Sequence, residues 1–462
     1  MKTAKLIVKD EVNLKIEGLD LDTRRKLVNK FKYEVPYARY LPAVRLGRWD
    51  GKVAYFQLGG SSFVNLLPEI LPVLEQERYD IDLVDLREYR TSFDFSPVAE
   101  DSYSHILWPD KHPAAGQPVK LRDYQIEIVN NFLQNPQCLQ EIATGAGKTI
   151  MTAALSERVE QYGRSIVIVP NKSLVTQTEK DYRNMQLDVG VFYGDRKEFG
   201  HQHTICTWQS LNVLLKNTKN QTANITIGEF LEDVVAVIVD EVHMAKADAL
   251  KTLLTGVMSH IPIRWGLTGT VPKEQFEFQS IHVSLGPVIG KLSASELQDQ
   301  GVLANCHVNI VQLIDHVEHT NYQSELKYLL EEPGRLDTIA GLGEEVNRTG
   351  NTLILVDRIS AGKELADRLP NSVFISGSTK AGERQDHYDE VQEAEGKIII
   401  ATYGVAAVGI NIPRIFNLVL IEPGKSFVRV IQSIGRGIRK ASDKDHVQIW
   451  DITSTCKLQN DI

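Results

Sequence analysis

The run Glu141-Ile142-Ala143-Thr144-Gly145-Ala146-Gly147-Lys148-Thr149 ends in the Gly-x-Gly-Lys-Thr order that suits a bound phosphate. Glycines let backbone N–H groups close around phosphate oxygens, and a following helix N-terminus favours negative charge. Ile150 to Val159 reads as that helix, whereas the upstream run Asn135-Pro136-Gln137 is punctuated and polar. In such a loop Thr144, Gly145, Ala146 and Gly147 form the cradle. Lys148 reaches the β- and γ-phosphates and Thr149 holds Mg²⁺. Ile142 stands where the usual pattern carries its first glycine.

Asp240-Glu241-Val242-His243 follows the wholly apolar run Val234–Val239. Carboxylates at a strand end facing a phosphate loop suit Mg²⁺ for Asp240 and the attacking water for Glu241. Arg436 and Arg439, three apart in Gln432-Ser433-Ile434-Gly435-Arg436-Gly437-Ile438-Arg439, share a face if helical. Such arginines stabilise charge on a transferring phosphoryl group. With Gln432 they complete the catalytic set and place the nucleotide between two domains. Gln125, in Leu121-Arg122-Asp123-Tyr124-Gln125, has an amide that matches both edge atoms of adenine, which makes ATP the nucleotide. Arg122 belongs to the same cofactor-binding group.

The elements that must position these residues are legible in part. Ser165–Pro170 and Val234–Val239 are short apolar strands separated by helical patterns, which suits a parallel sheet buried on both faces. The pattern resumes with Asn351–Val356, Lys397–Ala401 and Leu418–Ile421. We therefore expect an α/β chain with two similar domains, residues 106–300 and 301–462, after a small α+β domain with a linker over residues 1–105. Alternation in Lys5–Lys9 and Lys52–Phe56 supports the small domain, and Ser92–Gln117, with three prolines, reads as linker. At 462 residues, 42% apolar and 24% charged, the composition is that of a folded protein. Cys138, Cys206, Cys306 and Cys456 are far apart, which argues against a zinc or disulfide framework and for a reducing cytoplasm. No signal-peptide core and no membrane-length apolar run is present, so no membrane partner is expected.

With these motifs in order, residues 118–455 resemble the superfamily 2 helicases and translocases. Pro170–Gln177, Thr207-Trp208-Gln209-Ser210, Leu267-Thr268-Gly269-Thr270, Ile375-Ser376-Gly377-Ser378 and Ala401–Pro413 look like the family's further motifs. The resemblance implies two tandem RecA-like domains with parallel sheets, and Thr268 and Thr270 coupling hydrolysis to movement. It also implies nucleic acid running over both domains, with Thr176, Thr207, Trp208, Ser378 and Thr402 against the backbone. Such contacts fix register without reading sequence. Trp208 reads equally well as core. Asn411 stands where many members have Asp and is left out of the set.

The formal net charge is −9, yet Thr23–Lys52 holds nine basic and two acidic residues, a net +7, interleaved with Phe31, Tyr33, Tyr37, Tyr40 and Trp49. Rings stack on bases while cations meet phosphates, so this is a nucleic-acid-binding composition. Arg45, Arg48, Trp49 and Lys52 are its candidate contacts. Val44–Lys52, Tyr403-Gly404-Val405, the Gln432–Lys440 run and Ile449-Trp450-Asp451 resemble the phage UvsW-type branched-DNA helicases. That resemblance implies unwinding and branch migration of Holliday junctions, forks and R-loops in recombination, replication and repair. The implied partner is branched DNA bound by a monomer, with RNA met in R-loops, and the implied place is the host cytoplasm. The chain ends soon after Asp451, so a longer helical tail is expected to be absent. The alternatives are an RNA-directed helicase, the motor of a restriction or repair complex, and a nucleotide-switched binding protein.

Overall fold

In a computed structural model, residues 2–87, 92–110, 114–242, 247–409, 412, 414–421, 444 and 446–456 are described. The chain divides into two compact units: residues 1–142 with 147–291, and residues 143–146 with 292–462.

The first unit is built on an eight-stranded sheet. Its order is Arg196–Lys197, Val189–Tyr193, His203–Thr207, Arg164–Val169, Val234–Asp240, Ile263–Thr268, Gln137–Ile142 and Val288–Leu292. From Val189–Tyr193 to Gln137–Ile142 each neighbouring pair is parallel. Every residue of Val234–Asp240 and of Ile263–Thr268 is buried, as expected of strands covered by helices on both faces. Register sets Asp240 opposite Leu267 and Thr268 opposite Glu141, so three strands end side by side at their carboxyl edge. In open α/β sheets that edge is where ligands bind.

The same unit contains the small α+β module. Its four-stranded sheet has the order Ser61–Phe63, Asn13–Glu17, Lys2–Val8 and Tyr79–Asp85, covered by helices Leu21–Lys30 and Leu67–Gln76. The strand expected over Lys52–Phe56 is shorter, Lys52–Ala54, and pairs antiparallel with Lys32–Glu34 as a separate ribbon. The module shares a core with the large sheet's helix Gln275–Leu285: Phe276 and Val283 pack in one cluster with Leu27, Phe31, Tyr55 and Ile70. Tyr55 Oη lies 2.6 Å from Ser280 Oγ and 3.2 Å from the Phe276 carbonyl. Burying apolar surface from both partners makes this a fused seam rather than a tethered attachment.

The stretch expected as a linker is likewise pinned. Val98, Tyr103 and Ile106 are buried, and the Val98 backbone exchanges two hydrogen bonds with the Asn130 amide. Its apolar residues follow no helix or strand period, which is why the sequence shows no element there.

The second unit carries a six-stranded sheet in the order Asn305–Leu313, His446–Ser454, Asn417–Ile421, Thr352–Val356, Ile398–Thr402 and Ser372–Ile375. Every pairing in it is parallel. Helices Pro333–Asn347 and Ile359–Arg368 supply Leu336, Ile339, Ala361 and Leu365 to its core. The chain is thus mixed α/β with two large parallel sheets. Among the described residues no helix is long and apolar enough to cross a membrane.

Candidate ATP site and nucleic-acid contacts

The strand Gln137–Ile142 leads through residues 143–147 into the helix Lys148–Val159. Gly145 and Gly147 have φ of +94° and +83°, the left-handed region where a side chain strains the backbone. A Cβ on Gly147 would also lie 2.6 Å from Gln125 Nε2. Gly147 caps the helix without a side-chain hydrogen bond, so the first-turn N–H groups carry no cap of that kind and suit an anion. The helix is propped from behind by a buried polar chain. Tyr182 Oη donates to the Thr152 carbonyl at 3.1 Å and lies 2.8 Å from Ser156 Oγ. Ser165 Oγ lies 3.2 Å from Ser156 Oγ and 2.8 Å from His203 Nδ1.

Lys148 Nζ sits 2.9 Å from Glu241 Oε1, with the two side chains 9% and 4% exposed. Asp240 is buried too, and its carboxylate accepts the Glu241 N–H at 2.9 Å. Glu241 adopts φ +51°, a left-handed conformation that costs a non-glycine residue about 1–3 kcal/mol and that clusters at functional sites. The Gly269 N–H reaches Glu241 Oε2 at 3.4 Å. Thr268 Oγ1 donates to the Thr270 carbonyl at 2.8 Å and accepts the Thr270 N–H at 3.3 Å, which locks the Thr-Gly-Thr turn on itself. Among the described residues, the buried Thr270 hydroxyl finds no hydrogen-bond partner. Gly269 is a contributor the sequence reading did not single out, because a backbone N–H leaves no residue-type signature.

Gln125 is buried, and its Oε1 accepts the Arg122 N–H at 2.9 Å; Arg122 Nη1 donates to Tyr124 Oη at 2.9 Å. The structure thus brings Gln125, Gly147, Lys148, Asp240, Glu241 and Thr268 together at one sheet edge. Thr144 and Ala146 are buried, and Thr149 is half-buried in the first helical turn. His243, Asn411, Gln432, Arg436 and Arg439 lie outside the described residues.

The remaining candidates are dispersed. Thr176 is exposed on helix Lys172–Asn184. Thr207 is buried and caps helix Trp208–Lys219, its Oγ1 accepting the Ser210 N–H at 3.3 Å. Trp208 is half-buried and packs against the apolar cluster of the first unit. Ser378 is exposed in a turn with its Oγ 2.8 Å from Ser376 Oγ, and Thr402 ends the strand Ile398–Thr402 half-buried. In the module, Arg45, Arg48 and Lys52 are exposed, and Trp49 Nε1 donates to the Lys52 carbonyl at 2.8 Å.

Two families match the chain: "Type III restriction enzyme, res subunit" over residues 118–273, and "Helicase conserved C-terminal domain" over residues 334–441. The ATP-dependent DNA helicase uvsW of Enterobacteria phage T4 is 23% identical over 457 residues, which cover 93% of this chain and 86% of the phage protein. The DNA 3'-5' helicase XPB of Kineococcus radiotolerans is 25% identical over 350 residues, 72% of this chain but 60% of that protein. Saccharomyces cerevisiae Dbp5 bound to RNA and ADP BeF3 has the same fold, with a TM-score of 0.53 at 16% identity over 74% of this chain and 86% of that one. The two family matches in tandem, the first spanning the phosphate loop and its carboxylates and the second a helicase C-terminal domain, together with these relatives identify the chain as an ATP-dependent DNA helicase of superfamily 2, related to UvsW and XPB.

Proposed function

We propose that this ATP-dependent DNA helicase acts on branched DNA such as Holliday junctions, forks and R-loops, in recombination, replication and repair. The observation that carries the motor reading is the buried Lys148–Glu241 pair beside Asp240 at the carboxyl edge of the sheet. A cation and an anion held together in that place suit a site awaiting a charged ligand.

The donor set fits ATP and Mg²⁺. Gly147 leaves room where a Cβ would close the loop, and Thr149 and Asp240 supply the hard oxygen ligands that Mg²⁺ prefers. Bound there, Mg²⁺ would neutralise charge on the phosphate oxygens. Lys148 would exchange the Glu241 carboxylate for phosphate oxygens. Glu241, released from the ammonium, would then orient and deprotonate water as general base. Gln125 and Arg122 would hold the adenine side. Arg436, Arg439 and Gln432 are proposed from their motif to stabilise charge on the transferring phosphoryl group. Thr268 and Thr270, locked to one another and joined to Glu241 through the Gly269 N–H, are suited to couple hydrolysis to movement.

The substrate reading rests on the module. Between Lys32–Glu34 and Lys52–Ala54 the chain exposes Tyr37, Tyr40, Leu41 and Leu46 beside Arg39, Arg45 and Arg48. Arg39 lies 4.8 Å from the centre of the Tyr40 ring. Apolar tips among cations match exposed bases and phosphates at a branch point. Thr176, Ser378 and Thr402, with the helix cap at Thr207 and Trp208 behind it, are proposed to bear on the strand's backbone. The similarity to UvsW, a DNA helicase of phage T4, supports DNA as the polymer and a host cytoplasm as the place of action, and the proposal adds to it the branched substrate and a monomer on DNA.

The test is ATP hydrolysis by the purified chain with single-stranded DNA, duplex DNA, a four-way junction, a fork and single-stranded RNA in turn. Stimulation by the junction and fork above duplex and RNA is expected. Stimulation by RNA alone would replace this reading with an RNA helicase.

A further inference from the structure

A cavity of about 590 Å³ opens in the first unit beside the candidate backbone contacts. Its walls come from the carboxyl end of the strand Arg164–Val169, the Val189–Tyr193 strand and the helix Trp208–Lys219. Ser210, Val213, Leu214 and Asn217 line it at spacings of three and four, one face of that helix.

Its chemistry is selective in three ways. Phe199 is 43% exposed yet braced, with ring centroids 5.7 Å from Phe192 and 6.3 Å from Phe230. Val213 stands 56% exposed, an apolar residue on a helix face that would otherwise be solvated. Among the described residues lining it, Lys172 and Lys197 are cationic and none is acidic, in a chain of net charge −9. Side-chain amides of Asn171, Gln209, Asn217 and Asn224 complete the lining. A braced ring offers a stacking face, amides match the donor and acceptor edges of a base, and lysines match the attached phosphate. The volume has room for a base with its sugar.

We propose that this cavity receives one unstacked nucleobase of the single strand the motor tracks. The inference rests on the reading that nucleic acid passes Thr176 and Thr207, and it adds a contact to bases where that reading has contacts to backbone. A base that must leave the cavity at each step would ratchet the strand without sequence preference, because every base has a π-face.

The test compares affinities of the full chain for an oligothymidylate and for an abasic deoxyribose-phosphate strand of equal length. The wild type should prefer the base-bearing strand. Phe199→Ala should lower that preference about ten-fold, the size of one lost base–ring stack, while leaving affinity for the abasic strand unchanged. Phe199→Leu keeps the packing on Phe192 and Phe230 without a π-face and should also lower the preference; Phe199→Tyr should retain it. An unchanged preference in both the Ala and Leu variants, or an equal loss for both strands, overturns the proposal while leaving the helicase reading intact. Failure of the wild type to bind either strand overturns both.

Discussion

The phosphate-loop edge and the basic ribbon hold their charge in opposite ways. Lys148 and Glu241 are buried as an ion pair beside the buried Asp240, whereas Arg45, Arg48 and Lys52 are exposed. A charge withdrawn from water acts strongly over a short distance but burdens the fold unless it is compensated. A charge left in water contributes little to stability, yet it draws in a polyanion and responds to salt. One molecule thus separates a site that must select chemistry from a surface that must hold a long, variable ligand.

The contrast is broken most severely at Lys148. Lys148→Ala should lower hydrolysis by about 10²–10³-fold, the scale of losing a preorganised electrostatic donor. It should also cost about 3–5 kcal/mol of stability, because the buried Glu241 carboxylate loses its ammonium counter-charge. The double variant Lys148→Met with Glu241→Gln should regain most of that stability and none of the activity. Urea unfolding beside an ATPase assay separates the two effects; wild-type turnover in Lys148→Ala would remove the loop assignment. Glu241→Gln alone should cost about 10²–10⁴ in turnover with ATP still bound.

The seam between module and large sheet tests whether the exposed ribbon stands on a rigid base. Tyr55 is buried under the Lys251 ammonium, 4.2 Å from the ring centre, and reaches Ser280 and Phe276. Tyr55→Ala should destabilise by about 3–5 kcal/mol, as large aromatic truncations in cores do. Calorimetry should show the module and the first large sheet melting in one transition at a lower temperature. A separate early transition, with the remainder unmoved, would make the module an independent domain.

How far the sequence discloses all this depends on where each residue's partners lie. Val234–Asp240 is legible because six buried apolar positions in a row run up to the carboxylate. The strand feeding the phosphate loop, Gln-Cys-Leu-Gln-Glu-Ile, is not legible. Its buried Gln140 is tolerated because Nε2 donates to the Ile128 carbonyl at 2.8 Å, a bond no local pattern reveals. The seam escapes for a similar reason: Tyr55 and Ser280 are 225 residues apart. The lysine, the carboxylates and the Thr-Gly-Thr turn are legible as types and spacings. That Lys148 and Glu241 pair, and that Gly269 touches Glu241, needs the register of three parallel strands.

The ribbon gives a smaller effect of a different kind. Arg45→Ala with Arg48→Ala should flatten the salt dependence of branched-DNA binding by about two counterions, so that between 50 and 200 mM salt the wild type loses about ten-fold more affinity than the variant. Basal hydrolysis and melting temperature should not move, since both side chains are exposed. Fluorescence titrations at several salt concentrations measure it, and an unchanged slope would make the ribbon a structural feature.

The smallest expected effect lies where the two kinds of charge meet, at Glu11 in the seam. Its N–H donates to the Ser259 carbonyl, and its own carbonyl accepts from Gln137 Nε2 at 2.9 Å. Burial pushes the Glu11 carboxyl above the usual 4.5, against the attraction of Arg87 and Arg264 and with a further push from Asp85. Arg87 Nη1 is 3.6 Å away but also 2.7 Å from Asp85 through Nη2, so its pull on Glu11 is divided. A folded-state value above the unfolded one means that the native state binds the proton more tightly. This contribution to stability is therefore fully present below the unfolded value and is lost as pH rises through the folded one. Glu11→Gln, neutral at every pH, should match the wild type near pH 4 and exceed it at pH 8 by less than about 1 kcal/mol, the scale of a substitution that leaves packing intact. If the variant is instead weaker at pH 8, the attraction to Arg87 outweighs desolvation and the seam is held by charge as well as by its apolar core.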